Sequence, residues 1–141
     1  IFMQNLTPYL IFNGNCEEAM NFYKTVFGGE FAYLGRYSQK PGDIPEEYKN
    51  RILHIALDFP GGSLYASDAE PGTLALLDPA LSGIWLSMEF SQADELDRCY
   101  RKLSEKGTIV GPLQDTFWGD RFAKVRDKYG FGWMLIRQKR V

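Results

Sequence analysis

Histidine and cysteine are scarce in this chain of 141 residues. It has one histidine, His54, and two cysteines, Cys16 and Cys99. A single imidazole disfavours metal sites built from several histidines, and two cysteines cannot form a disulfide framework. Both cysteines occupy apolar positions of predicted helices. We therefore expect free thiols buried in the core of a protein from a reducing compartment.

The chain also lacks long apolar segments and a strong charge of either sign. No apolar run approaches the roughly 20 residues that span a bilayer. We expect no leader before Met3, and a cytoplasmic protein with no membrane partner. The net charge of −2 gives no reason to expect nucleic acid as a partner. Neither the dinucleotide-binding glycine pattern nor a P-loop occurs, so no nucleotide-binding fingerprint is present.

One secondary-structure pattern occurs twice in the chain. Each copy has an apolar strand, an amphipathic helix that ends at glycine, and three further strands. The apolar stripe of the first helix recurs in the second at one constant offset, with Cys16, Ala19, Tyr23 and Val26 matching Ala93, Leu96, Tyr100 and Leu103. The pattern predicts a single α+β domain over residues 1–141. Two β-α-β-β-β modules, about residues 4–70 and 83–138, would form curved mixed sheets around a cavity.

Both helices have a capping signal at their start. Asn15 precedes the first helix, with Glu18 three residues later, and Ser91 precedes the second, with Asp94 three residues later. We therefore expect side-chain caps from Asn15 and Ser91.

Several local sequence motifs occur within this doubled layout. They are Tyr9-Leu10-Ile11-Phe12-Asn13-Gly14-Asn15-Cys16, Phe22-Tyr23, His54, Ser67-Asp68-Ala69, Trp118-Gly119-Asp120-Arg121-Phe122 and Trp133. Layout and motifs together resemble the PhnB-like branch of the vicinal oxygen chelate superfamily, which includes glyoxalase I, extradiol dioxygenases and bleomycin-resistance proteins. The branch is also labelled 3-demethylubiquinone methyltransferase-like. The resemblance implies the glyoxalase fold, whereas no glycine-rich S-adenosylmethionine loop supports the methyltransferase label.

The resemblance also implies a divalent metal, held by one His or Glu from each of four strands. Alignment of the first helix and the strand ends puts these positions at Pro8, Ala66 or Ser67, Ile84 and Met134. Because these residues cannot make such a site, we predict no cofactor and no metal of the superfamily type. The alternative is a divalent metal with relocated ligands, drawn from His54, Asp58, Asp68 and Glu89.

Strand alternation then predicts the lining of the cavity. Counting from the same positions, we expect an apolar face formed by Pro8, Leu10, Phe12, Ile84, Leu86, Met88 and Met134. Such a face suits a small organic ligand with an apolar body. Trp85 and Glu89 would face the helix side or a partner chain.

Five further residues complete the predicted site. His54 is the tentative catalytic residue, as a general base or as an anchor for a polar ligand group, and a structural histidine is the alternative. Ser67 and Asp68 end a strand, although an aspartate before Pro71-Gly72 also suits a turn. Trp118 and Arg121 would supply a stacking ring and an anion-binding fork, with hairpin packing or a dimer contact as the alternative.

These observations favour a homodimeric protein that binds a small organic molecule, with or without weak catalysis. One alternative is a metal-dependent isomerase, lyase or dioxygenase with relocated ligands. Another is a drug-sequestering resistance protein, as the bleomycin-binding relatives of the superfamily are.

Overall fold

The computed structural model describes residues 5–73 and 83–139, and the chain divides into two compact units, Ile1–Leu76 and Leu77–Val141. Each unit has the β-α-β-β-β order that the sequence predicts, so the α+β class is confirmed. Within the described residues, no helix is long and apolar enough to cross a membrane.

The first unit is a four-stranded mixed sheet with one helix. Its elements are β1 (Tyr9–Phe12), α1 (Cys16–Phe27), β2 (Glu30–Arg36), β3 (Ile52–Phe59) and β4 (Gly62–Asp68). The strand order is β1-β4-β3-β2, and β1 is parallel to β4 while the other pairs are antiparallel. Helix α1 ends before Gly28, whose positive φ of 77° is readily adopted by glycine.

The second unit repeats this arrangement. Its elements are β5 (Leu86–Glu89), α2 (Ala93–Ser104), β6 (Thr108–Asp115), β7 (Arg121–Arg126) and β8 (Gly132–Arg137). The strand order is β5-β8-β7-β6, with β5 parallel to β8 and the remaining pairs antiparallel.

The core of each unit lies between its helix and one face of its sheet. The buried stripe of α1 is Cys16, Ala19, Met20, Tyr23 and Val26, and that of α2 is Leu96, Cys99 and Leu103. Burial of one large apolar side chain contributes about 1.5–3 kcal/mol. Both cysteines are free, buried thiols, as predicted. Burial raises the pKa of each, and the nearby Asp68 charge raises that of Cys16 further.

The face of β1 that meets the core differs from the prediction. Leu10 and Phe12 are buried, whereas Tyr9 and Ile11 are exposed. Phe12 is the register partner of Asp68, whose carboxylate contacts the start of α1, so Leu10 and Phe12 lie on the helix side. A four-residue strand that is apolar throughout has no alternation to indicate its buried face. The face without the helix is called the open face of the first unit.

The prediction for β5 is wrong in the same way. Leu86 and Met88 pair with Trp133 and Leu135, which are buried, so they lie on the side of α2. Met134 lies between those two buried residues and therefore belongs to the face without a helix, as predicted. That face is called the open face of the second unit.

Neither predicted helix cap forms. Asn15 makes no side-chain capping hydrogen bond, and the residue before α2 is Gln92 rather than Ser91, also without such a bond. At α1 a carboxylate from another strand takes this role, because Asp68 Oδ1 accepts from the backbone N–H groups of Gly14 and Cys16. The cap is therefore a tertiary contact that local spacing does not reveal.

Candidate functional site

Four rings form a cluster on the open face of the first unit. They are Tyr9 on β1, Tyr33 on β2, His54 on β3 and Tyr65 on β4, and are called the tyrosine–histidine cluster. The ring centroids of Tyr9, Tyr33 and Tyr65 lie 5.5, 5.7 and 5.3 Å from that of His54. Tyr9 stacks on the imidazole and Tyr65 meets it edge-on. Each strand of the sheet thus contributes one ring to the same patch.

The strand register brings these rings together. Tyr9 pairs with Tyr65, and His54 pairs with Gly35 on β2. A Cβ atom on Gly35 would lie 2.7 Å from the Tyr33 hydroxyl oxygen. The missing side chain at Gly35 therefore makes room for the Tyr33 ring, which reaches His54 across that space.

Tyr9 and His54 share a hydrogen bond. The Tyr9 hydroxyl oxygen lies 3.0 Å from Nδ1 of His54. When the hydroxyl donates to Nδ1 of the neutral imidazole, the ring proton sits on Nε2, which can donate to a ligand. Tyr9 and Tyr33 are 46% and 53% exposed, so large ring surfaces with polar tips are accessible beside this group. Such surfaces suit contact with a planar organic molecule.

A pocket of about 360 Å³ adjoins the cluster and shares Tyr9 with it. The other lining residues are Ile11, Tyr37, Leu53, Ser67, Asp68, Ala69, Glu70 and Thr73. The volume lies at the small end of the range for organic ligands. Of the residues that the sequence proposed for the site, Ser67 therefore lies close to Tyr9, at the end of β4. The three tyrosines are not among the site residues that the sequence predicts, although the position of Tyr9 on the short apolar strand β1 was a usable signal.

Asp68 lines this pocket, but its carboxylate is engaged by the backbone. Oδ1 accepts from Gly14 N at 2.8 Å and from Cys16 N at 3.0 Å, and Oδ2 accepts from Ile52 N at 2.9 Å. Asp68 is 2% exposed. These bonds join the end of β4 to the starts of α1 and β3. The arrangement gives Asp68 a structural task in place of the predicted turn.

Arg121 and Trp118 do not form the predicted anion fork and stacking ring around one ligand. Arg121 donates to Asp97 Oδ1 at 2.8 Å and to Asp115 Oδ1 at 2.9 Å. The hydrogen bond from Arg121 lowers the pKa of the Asp97 carboxyl, and the carboxylates of Asp97 and Asp115 raise the pKa of Arg121. Trp118 donates to Asp120 Oδ2 at 2.8 Å and is 58% exposed. The guanidinium is thus neutralised within its own unit.

The open face of the second unit carries a different set of residues. The Trp85 ring lies over Gly132, where a Cβ atom would come within 2.7 Å of the indole. Lys124 Nζ and Arg126 Cζ lie 4.2 and 4.4 Å from the ring centroid, close enough for cation–π contacts. Met134 is the register partner of Lys124. Trp85 therefore lies on the open face and not on the helix side, whereas the predicted alternative, a contact with a partner chain, stays a prediction.

The described part of the chain lacks a set of ligands that matches the superfamily metal site. No group of three or more His, Cys, Asp or Glu residues there is placed to hold a metal ion. Met134 and Ser67 stand at two of the four implied positions, and a thioether and a hydroxyl are poor substitutes for imidazole or carboxylate ligands. Asp68 is committed to backbone N–H groups. The residues present do not fit the implied group.

Comparison with known proteins gives consistent matches over nearly the whole chain. Residues 4–136 match the family described as 3-demethylubiquinone-9 3-methyltransferase. Protein YjdN of Escherichia coli K12 is 31% identical over 140 residues, which cover 92% of each chain. The structure of PA1353 from Pseudomonas aeruginosa has a TM-score of 0.83 and 30% identity, covering 98% of this chain and 100% of that one. A PhnB protein from Bacillus cereus has a TM-score of 0.73 and 28% identity, covering 96% and 100%.

Proposed function

This chain belongs to the 3-demethylubiquinone-9 3-methyltransferase family, in the PhnB-like branch with the glyoxalase-like fold, and we propose that it binds a small organic molecule at the tyrosine–histidine cluster. The carrying observation is the Tyr9–His54 hydrogen bond within a set of partly exposed rings. The adjoining pocket supports the proposal because it gives a ligand a concave seat beside Tyr9.

The chemistry of the cluster indicates the class of ligand. Ring faces favour a planar or conjugated body, and Nε2 of His54 favours a hydrogen-bond acceptor such as a carbonyl oxygen. The hydroxyls of Tyr33 and Tyr65 can donate or accept nearby. The wall is thus aromatic with polar tips, whereas the sequence predicted a wholly apolar lining that includes Leu10 and Phe12.

We propose that this binding requires neither a divalent metal nor S-adenosylmethionine. The donor set supports the first part, as described above. For the second part, a cofactor could be bound by backbone N–H groups at the start of α1. The N–H groups of Gly14 and Cys16 already donate to the Asp68 carboxylate there. Metal analysis of protein purified without chelator tests the first part. Near-stoichiometric Fe, Mn, Zn or Ni would contradict it and favour the metalloenzyme alternative.

The single histidine makes the binding site directly observable. The imidazole C–H signals in an NMR spectrum can only come from His54. We expect aromatic carbonyl compounds, screened as a fragment library, to shift these signals. We expect Tyr9→Phe to weaken binding of the best compound about five- to tenfold, because one hydrogen bond contributes about 1 kcal/mol. Tyr100→Phe, in α2, is the matched control and leaves the affinity unchanged.

Two results would refute the proposal. One is a library in which no compound moves the His54 signals. The other is a binder whose affinity survives both Tyr9→Phe and His54→Ala. The predicted homodimer and cytoplasmic location stay predictions, and sedimentation analysis of the purified protein addresses the first.

A further inference from the structure

We propose that the open face of the second unit binds the oxyanion of a small molecule, a carboxylate or a phosphate, through Lys124 and Arg126 beside Trp85. Both cations lie against the indole, at 4.2 and 4.4 Å from its centroid. The site is built within one unit and shares no residue with the tyrosine–histidine cluster. The inference is therefore independent of the function proposed above.

The fold places two like charges side by side. Lys124 and Arg126 are two residues apart on β7, so both side chains leave the same face of the sheet, with their Cα atoms about 7 Å apart. Like charges at this spacing repel each other. The π face of Trp85 attracts both, and Gly132 leaves the space in which the ring lies. The ring thus holds two cations close together on one surface.

An anion completes the interactions of Lys124 better than the ring alone does. An indole face attracts a cation but accepts its N–H donors poorly, whereas an oxyanion accepts several charge-assisted hydrogen bonds. Within the described ranges, no ion pair of Lys124 with a carboxylate is formed. Both cationic side chains are partly exposed. Charge complementarity therefore calls for an anionic occupant.

The occupant is a small molecule rather than a polyanion. The net charge of −2 gives no reason to expect nucleic acid as the occupant. Two cations match one carboxylate or phosphate group. The indole beside them adds an apolar surface for the body of the same molecule.

The NMR signal of the Trp85 indole N–H reports on this site. The signal is assigned as the one that is lost from the spectrum of Trp85→Phe. The probes are benzoate and phenyl phosphate, with benzamide as the neutral analogue. At low salt we expect both anions, but not benzamide, to shift the signal, and added salt to weaken binding. Tighter binding of phenyl phosphate would identify phosphate as the preferred group, and tighter binding of benzoate would identify carboxylate.

Lys124→Met removes the charge and keeps most of the aliphatic chain. We expect it to weaken anion binding about tenfold, because it removes one charge-assisted hydrogen bond. Arg126→Met provides an independent second variant. Lys128→Met is the matched control, because it removes a lysine that also lies against a ring in this unit, that of Tyr129, and it leaves binding unchanged.

Several results would overturn the proposal. The first is that neither anion shifts the signal at concentrations up to about 10 mM, because any binding would then be weaker than that of a millimolar complex. The second is that benzamide shifts the signal as much as the anions do. The third is that both charge-removing variants bind the anions with unchanged affinity. A Trp85 signal that moves on dilution without any probe would show that a second copy covers this face instead. The His54 signals serve the separate test of the first unit, so failure of one proposal is distinguishable from failure of the other.

Discussion

Replacing Asp68 tests the central structural assignment in the first unit. Its carboxylate is almost fully buried and accepts three backbone N–H groups, at 2.8, 3.0 and 2.9 Å. In Asp68→Asn the remaining oxygen can keep the two bonds at Oδ1, while the new amide N–H₂ opposes the N–H of Ile52. The variant thus loses one charge-assisted bond and leaves both the Ile52 N–H and the amide N–H that faces it without an acceptor. We expect a loss of about 2 kcal/mol, since each such bond contributes roughly 1.5–3 kcal/mol.

Asp68→Ala removes all three bonds and is expected to cost more, about 3–5 kcal/mol, because the separate contributions are not additive and water replaces part of them. Against a total stability of about 5–15 kcal/mol this is a large change. Urea unfolding followed by far-UV circular dichroism measures it, and a loss of 2 kcal/mol lowers the midpoint by about 1 M for a typical urea slope.

Asp58→Asn is the control for this series, because Asp58 is exposed and accepts one hydrogen bond, from Ser63 Oγ at 2.7 Å. We expect it to change stability by less than about 0.5 kcal/mol. If Asp68→Asn changes stability no more than this control, the carboxylate does not hold the start of α1. Asp68 would then be available to a ligand after all.

Two further predictions concern an ion pair and a glycine. The hydrogen bond from Arg121 lowers the pKa of Asp97 in the folded state, so its stabilising effect is present above the ordinary aspartate pKa and is lost as the pH falls through the lowered value. The difference in unfolding free energy between wild type and Asp97→Asn should therefore shrink as the pH falls from about 5 to about 2, and a constant difference would contradict the assignment. Gly35→Ala should push the Tyr33 ring away from His54, because the added Cβ atom would lie 2.7 Å from the Tyr33 hydroxyl. The ring-current shift of the His54 C–H signals measures this change, and unchanged signals would refute it.

The helices and the fold class could be predicted because their signals are local. The stripe of α1 recurs at three- and four-residue steps and glycine follows it, and the structure places the helix at Cys16–Phe27. The repeat of that stripe in α2 was enough to predict two units of the same topology. These features depend on residues that are close together in the sequence, so the sequence pattern is sufficient to predict them.

The candidate site was harder to predict because its contacts join distant segments. Asn15 has the right spacing for a cap, but a carboxylate from β4 reaches the same N–H groups. Arg121 has the right chemistry for a ligand fork, but Asp97 and Asp115 neutralise it. Such competition between local and tertiary partners is decided by packing, which spacing alone does not encode.

The faces of β1 and β5 show a second limit. Both strands have four residues, and one error of register exchanges every inward and outward side chain. That error moved Leu10, Phe12, Leu86 and Met88 to the wrong side and concealed the rings of Tyr9 and Trp85. In the longer strand β7, buried Ala123 and Val125 alternate with partly exposed neighbours.

The Asp68 contacts also restrict which sequences this fold can accept. The carboxylate needs a backbone N–H at residues 14, 16 and 52, so proline at any of these positions would delete a donor that no other side chain can replace. Position 14 is restricted further by its positive φ of 105°, which favours glycine. Four residues from three separate segments are thus linked through one carboxylate, and a change at position 68 would remove the need for a backbone N–H at the other three together.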